Sequence, residues 1–374
     1  MSGLYIHIPF CNEKCHYCDF YSGNQLYLIE EYVGAVVQEI ALREGYLVDK
    51  EINTIYFGGG TPSLLTPIQI LKILEEIKSR FIVKSDAEIT LECNPENVSS
   101  NYLTQLASIG INRISLGVQF LDDQVLKKFN RQHSKYLILN SLDVLFSSYI
   151  KNVSVDLIYS VPGISDESLV SSLELLLAYD IKHYSAYSLT VSKNSKLFWK
   201  IRSGEVVEND ENNFINQYWI INNALISNDY SQYEVSNYAK DKFLSRHNLA
   251  YWNQLPYLGL GVAAHSYNLH SRQWNYKNIK KYIRNIGNDV IDVDIETLTD
   301  IDRYNEYIIL KLRTFLGISD SYVKRSFNSE IYYHFWETMI RMKGLGHFNF
   351  IGDLIISKKS DLLLADYLAK ELMF

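Results

Sequence analysis

Cysteine and proline are both scarce in this chain, at four and six of 374 residues. The cysteines are too few and too bunched for a disulfide framework. Cys11, Cys15 and Cys18 crowd one short stretch, and only Cys93 lies apart. No run approaches the roughly 18 apolar residues of a membrane helix. No charged leader with an apolar core opens the chain, since the stretch from Gly3 to Phe10 is too short and reads as a strand. A cytoplasmic location with reduced thiols is therefore expected. Positive charge is in deficit, 36 Lys plus Arg against 43 Asp plus Glu, for a net charge of -7. A broad nucleic-acid footprint needs a basic surface, so no nucleic-acid partner is expected. With 47% apolar and 21% charged residues, the composition is that of a globular protein with a sizeable core. Tyrosine, at 29 residues, is abundant and is read as compositional bias without functional content.

What is present is a regular alternation. Short β-like runs recur at Leu4–Ile8, Thr54–Phe57, Glu88–Glu92, Arg113–Leu116, Val153–Tyr159 and His183–Tyr187. Between them lie amphipathic segments at Leu28–Leu47, Pro67–Arg80, Asn101–Ile109, Ser134–Phe146 and Glu167–Tyr179. The strands recur at about thirty residues, the size of a βαβ unit. Such units in a row predict an α/β fold with a parallel sheet, doubly wound or a partial (β/α) barrel, with functional groups at the strands' C-terminal ends. From about residue 230 the pattern changes. Gln232–Tyr238 and Ser266–Trp274 suggest strands or hairpins, and Asp300–Phe315 and Ile331–Lys343 suggest amphipathic helices. Asp353–Lys358 then reads as a short strand, followed by a terminal helix. Two units are expected, 1–230 and a smaller mixed, mainly helical 231–374, with no Pro/Gly/Ser linker to mark the boundary.

The cysteine cluster Cys11-Asn12-Glu13-Lys14-Cys15-His16-Tyr17-Cys18 directly follows the first strand. Three thiolates at spacings of four and three can converge from one loop onto a compact metal centre. A structural zinc site wants four closed ligands, so zinc would have to borrow His16. Three cysteines on a four-iron cluster instead leave one iron open. Straight after the second strand comes Gly58-Gly59-Gly60-Thr61-Pro62. This glycine run lets a ligand approach backbone N–H groups, but it lacks the lysine of a phosphate-binding loop. Glu92, Gln119, Arg131 and Asp156 follow at or after later strand ends. Acid and amide groups there suit ribose hydroxyls, and Arg131 suits a carboxylate. Asp156 lies within an apolar run, where an unpaired acid is costly. Farther on, His247 stands beside aromatic residues in His247-Asn248-Leu249-Ala250-Tyr251-Trp252, and His265 closes Gly259–His265. A histidine in such company serves either as a satisfied structural residue or as a haem contact.

The CxxxCxxC spacing after an N-terminal strand resembles the radical S-adenosylmethionine (SAM) superfamily. The resemblance implies a [4Fe–4S] cluster on Cys11, Cys15 and Cys18, with SAM chelating the open iron. A fourth protein thiolate would block that chelation, so Cys93 is expected to pack. The similarity narrows to the coproporphyrinogen III oxidase-like branch. It is carried by Tyr5-Ile6-His7-Ile8-Pro9-Phe10-Cys11, Gly58–Ser63, Gly117-Val118-Gln119, Arg131, Asp156–Gly163 and Gly259–Ser266. For that branch it implies SAM contacts at Tyr5, Tyr17, Gly59, Gly60, Thr61, Glu92, Gln119, Arg131 and Asp156. The implied fold is a partial (β/α)6 barrel with a smaller C-terminal domain. The oxidase of this branch carries a further cysteine two residues after the third, where this chain has Phe20. It also has an N-terminal extension, for which no counterpart is expected here. Both departures, and the His247–Trp252 motif, resemble the branch's haem-chaperone subgroup. That subgroup implies haem as a third cofactor, contacted by His247, and transfer to haem-accepting respiratory proteins. Oxidative decarboxylation of porphyrinogen propionates is the alternative. Enzymatic activity, a peripheral membrane contact and a homodimer stay open.

Overall fold

In the computed structural model, which describes residues 2–374, six parallel strands form the middle of one twelve-stranded sheet. They are β1 (Ser2–Ile8), β2 (Glu51–Gly59), β3 (Ile82–Cys93), β4 (Arg113–Gln119), β5 (Asn152–Tyr159) and β6 (His183–Ser188). They lie side by side in chain order. A doubly wound sheet reverses its order at a switch point. No reversal occurs here, so the six units wind in one direction as a partial (β/α)6 barrel.

The strands alternate with period two, and the alternation explains the arrangement. One set of side chains, including Ile55, Phe57, Leu91, Ile114, Leu116, Val153 and Val155, is fully buried and belongs to the main apolar core. The other set is polar and lies in lateral register. Thr54 is level with Glu88, Thr90 with Arg113, Ser115 with Ser154, and Ser154 with His183. The core therefore sits between sheet and helices, and the polar set is left to the interior. The covering helices carry side-chain caps. Thr66 and Gln69 form a capping box at the helix Pro67–Arg80, and Ser99, Ser134 and Ser165 cap the next long ones.

Each edge of the parallel block is extended. On one side β6 pairs antiparallel with β8 (Asn237–Ala239), which pairs with β7 (Ser231–Gln232). On the other, β9 (Tyr257–Leu260) pairs parallel with β1 and is followed by β10 (His265–Tyr267), β11 (Ser271–Asn275) and β12 (Val293–Thr297). Residues 231–297, expected from the sequence to belong to the second unit, thus add strands to the first unit's sheet. A separate apolar core gathers Tyr304, Ile308, Phe335, Met339, Leu368 and Leu372. It lies among the helices Asp300–Leu312, Ser329–Gly344 and Ala365–Leu372 and a small sheet of β13 (Ile318–Ser319), β14 (Phe348–Ile351) and β15 (Leu354–Ser357).

A sixteen-residue helix, Glu211–Ile226, was not anticipated. Its many asparagines are poor helix formers and mask the apolar stripe. It is held by the Asp210 side-chain cap and by burial of Tyr218, Ile221 and Leu225. Its buried Gln217 accepts from Ser160 N at 2.7 Å and donates to Ile164 O at 3.1 Å.

One buried ion pair anchors β9 to β11. Glu39 and Arg43, 3.2 Å apart, have side chains 0% and 3% exposed. Glu39 accepts from Gly261 N, Asn275 Nδ2 and the Tyr282 hydroxyl at 2.6–2.7 Å. Arg43 donates to Gly259 O, Asn275, Ser266 and Gln273. Arg43→Ala leaves the Glu39 charge buried without its counter-ion, and we expect a loss of about 3–5 kcal/mol in a denaturant titration. Lys72→Ala, which breaks an exposed pair with Glu30, should leave the same titration nearly unchanged.

Candidate functional site

The three cysteines lie on a loop whose base is closed by Cys11 N donating to Gly23 O and Gly23 N to Pro9 O. A turn bond from Cys18 N to Cys15 O closes the stretch between the later two cysteines. The loop's outer side is stitched to the segment after β4: His16 N donates to Phe129 O, and Asn130 Nδ2 to Lys14 O at 3.1 Å. The ring of His16 engages Lys128 O at 3.0 Å. It therefore faces that segment and is not among the residues lining the cavity described next.

The thirteen residues that the sequence analysis assigns to the cluster, SAM or haem line one cavity of about 600 Å³. Cys11, Cys15 and Cys18 stand at its rim with Tyr17, Gly59, Gly60, Thr61 and Arg131. Glu92, Gln119 and Asp156 face it from the strand ends. Tyr5 and His247 form an inner wall. His265 lies outside it, exposed on β10 and stacked on Trp274 at 5.9 Å.

The donor set at the rim is sulfur with polar support. Thr61 Oγ1 donates to Cys11 Sγ, and Arg131 Nη1 to Cys15 Sγ, each at 3.5 Å. Arg131 Nη2 is fixed by Gly117 O at 2.8 Å and Asn94 Oδ1 at 3.3 Å, which leaves Nε buried without a partner. The Tyr17 hydroxyl is likewise buried and unpartnered, with its ring packed against Phe120 and Phe129. Burial pushes the Cys18 thiol up to about 11, so a metal must displace its proton. Among the described residues, no three His, Cys, Asp or Glu side chains are gathered as ligands of a single ion. Three thiols open to a cavity, with no fourth protein donor beside them among the described residues, fit a cluster that keeps one position free better than closed tetrahedral zinc.

The glycine run has a packing reason. A Cβ on Gly59, at φ +115°, would meet the His7 ring at 2.6 Å, and one on Gly60 would meet Phe10 O at 2.6 Å. The glycines let the second strand's loop close on the stem of the cysteine loop. Gln119 has φ +67°, a left-handed conformation uncommon for a residue with a side chain.

Two carboxyls share the cavity wall. Glu92 accepts from the Tyr56 hydroxyl at 2.9 Å and Gly59 N at 3.1 Å. Asp156 accepts from Ser115 Oγ at 3.1 and 3.2 Å. Burial, with the nearby Asp156, pushes Glu92 up to about 7, and burial also raises Asp156. His247 is 1% exposed and lies against Tyr56 and Tyr5. Its Nδ1 bonds Thr54 Oγ1 and its Nε2 the Tyr251 hydroxyl, both at 2.8 Å. Burial, reinforced by the Arg113 charge, lowers it to about 3, so the ring is neutral. With both nitrogens engaged, it is placed as cavity wall. Sequence reading passed over Arg113, Ser115, Ser185 and Tyr187, which also line the cavity. The available signal was the polar half of the alternation within β4 and β6.

A consecutive parallel sheet with a three-cysteine loop at its C-terminal rim defines the radical SAM class, and the radical SAM superfamily model matches residues 5–176. The chain is 33% identical over 325 residues to heme chaperone HemW of Bacillus subtilis (strain 168), covering 85% of each protein. To heme chaperone HemW of Mycobacterium tuberculosis (strain CDC 1551 / Oshkosh) it is 32% identical over 321 residues, 84% of this chain and 82% of that one. The chain belongs to the HemW family of the radical SAM superfamily. Among solved structures, coproporphyrinogen III oxidase (HemN) of Escherichia coli, a radical SAM enzyme, superposes with a TM-score of 0.86. It covers 100% of this chain and 90% of its own at 20% identity, a likeness of fold alone.

Glu92 gives this cavity a pH signature. Its carboxyl is raised from the ordinary 4.5 to about 7, so between those values the folded state keeps a proton that the unfolded state has lost. This contribution to stability is complete below about pH 4.5 and is lost as pH rises through about 7. In metal-free protein, Glu92→Gln should remove up to about 3 kcal/mol of the stability difference between pH 4.5 and 8, read by denaturant unfolding.

Proposed function

We propose that this protein is a haem chaperone that carries a [4Fe–4S] cluster on Cys11, Cys15 and Cys18, binds SAM beside it, and delivers haem to haem-requiring respiratory proteins in the cytoplasm. The observation that carries the reading is the single cavity, with three thiols at the rim and the polar strand ends behind them. The names of the curated relatives support the haem cargo. Phe20, 66% exposed beside Cys18, offers no further thiol.

Bound on three thiolates, such a cluster supplies an open iron and one-electron reduction. The chain's own residues do the rest. The Arg131 cation stands against the Cys15 sulfur and offsets thiolate charge, and its unpartnered Nε is free for the carboxylate of SAM. The Gly59–Thr61 backbone and Glu92 receive the ammonium and ribose hydroxyls, and Gln119 and Asp156 complete the ribose side. Tyr17 covers the adenine. Tyr5 donates to His7 Nδ1, whose other nitrogen holds Tyr21 O at 2.9 Å, so the inner wall is tied to the cysteine loop. His247 contacts haem through the wall, not as an iron ligand.

Anaerobic reconstitution should load about four irons per chain and Cys15→Ala should lose them. The loaded protein should bind haem without decarboxylating coproporphyrinogen III. Vinyl formation with no haem binding would overturn the proposal. His247→Ala should weaken haem binding severalfold while leaving the Soret position of the bound fraction unchanged, checked by absorption titration.

A further inference from the structure

The cavity floor carries a cation that the arrangement above does not use. Arg113 opens β4, four residues below Gly117, and is only 2% exposed. Its side chain lines the cavity. Among the described residues its guanidinium forms no hydrogen bond and no ion pair, and Nε is buried without a partner. The nearest acids, Glu88 and Asp156, favour its charge from a distance, but their hydrogen bonds go elsewhere. Glu88 accepts from the backbone N–H groups of Arg246 and His247 at 3.2 and 3.1 Å, and Asp156 is held by Ser115. The flanking positions in the same layer are also short of partners. Thr90 and Asn152, in register with Arg113 on β3 and β5, each bury an oxygen with nothing bonded to it. A buried guanidinium with no hydrogen-bonded counter-ion leaves its N–H donors unused, and their planar fork suits a planar anion best. Arg131 stands at the rim beside the thiols, so the cavity presents two separate cationic ends.

We propose that Arg113 is the floor subsite for a carboxylate arm of the second ligand, the one that enters beside SAM. Resting on the haem reading above, the arm is a haem propionate. The ring stays nearer the mouth, and the propionate reaches inward past Tyr187 and Asp156 to the guanidinium. Removing the arm's charge should then matter as much as removing Arg113.

The test compares haem with its dimethyl ester on cluster-loaded, SAM-bound protein, in one detergent buffer, followed by absorption. The free acid should bind the wild type about tenfold or more tightly than the ester. Arg113→Gln should bring the two within about twofold, mainly by weakening the acid, and Arg113→Lys should keep part of the preference. Equal binding of acid and ester by the wild type would overturn the subsite alone, as would a preference that survives in Arg113→Gln. Failure of both forms to bind would instead overturn the haem reading and the subsite with it. Should Arg113→Gln not fold, the wild-type ester comparison and Arg113→Lys decide the matter.

Discussion

The two-residue period of the six parallel strands is the constraint from which the rest follows. A strand shows its side chains alternately to two faces, and here the apolar face is spent on the helices. The polar residues therefore have nowhere to go but inward, where water is limited and each donor or acceptor needs a partner. Many find one: Thr54 with His247, Ser154 with His183 at 2.7 Å, Ser115 with Asp156. Others do not, and the unpartnered Tyr17 hydroxyl and the Nε atoms of Arg131 and Arg113 belong to residues that line the cavity. The cavity is thus a consequence of the alternation, and its shortage of partners describes the ligands it is built for.

Long-range packing then sets the rim. Gly59 and Gly60 have no room for a side chain, because β2's loop closes against His7 and the Phe10 backbone. On the far edge, the Glu39–Arg43 pair holds the Gly259–Gly261 backbone, and the Tyr32 hydroxyl bridges His7 O at 2.6 Å and Val262 N at 3.0 Å. The segment around His265 is thereby fixed to β1 and not to the cavity interior. Likeness to HemN extends over this whole framework, including the strands after residue 231. This chain and the HemN structure share the framework, and one of the differences noted in the sequence, Phe20, is local, on the surface beside the cysteine loop.

The six parallel strands, the first five long helices and the thirteen candidate residues that share one cavity could be picked out because each rests on local pattern. Strand period, helical period and the Cys11–Cys18 spacing all survive without knowledge of neighbours. The helix Glu211–Ile226 was not legible, since asparagine propensity argues against it and tertiary burial overrides that preference. The place of residues 231–297 in the main sheet was equally hidden. Their strands, two to five residues long, gain a register only by pairing at the edges of β1 and β6.

What the sequence determined by itself is the class of chemistry: three thiols on one loop, a glycine run and polar strand ends, each a matter of residue type and spacing. Tertiary structure decided which of these meet and in what state. It brought Glu92 and Asp156 to one wall, where burial raises both carboxyls. It occupied both nitrogens of His247, and it left Arg113 buried with its Nε unpartnered. The physical reason is that protonation, partner and exposure depend on groups distant in the chain, and only the closed sheet brings those groups within reach.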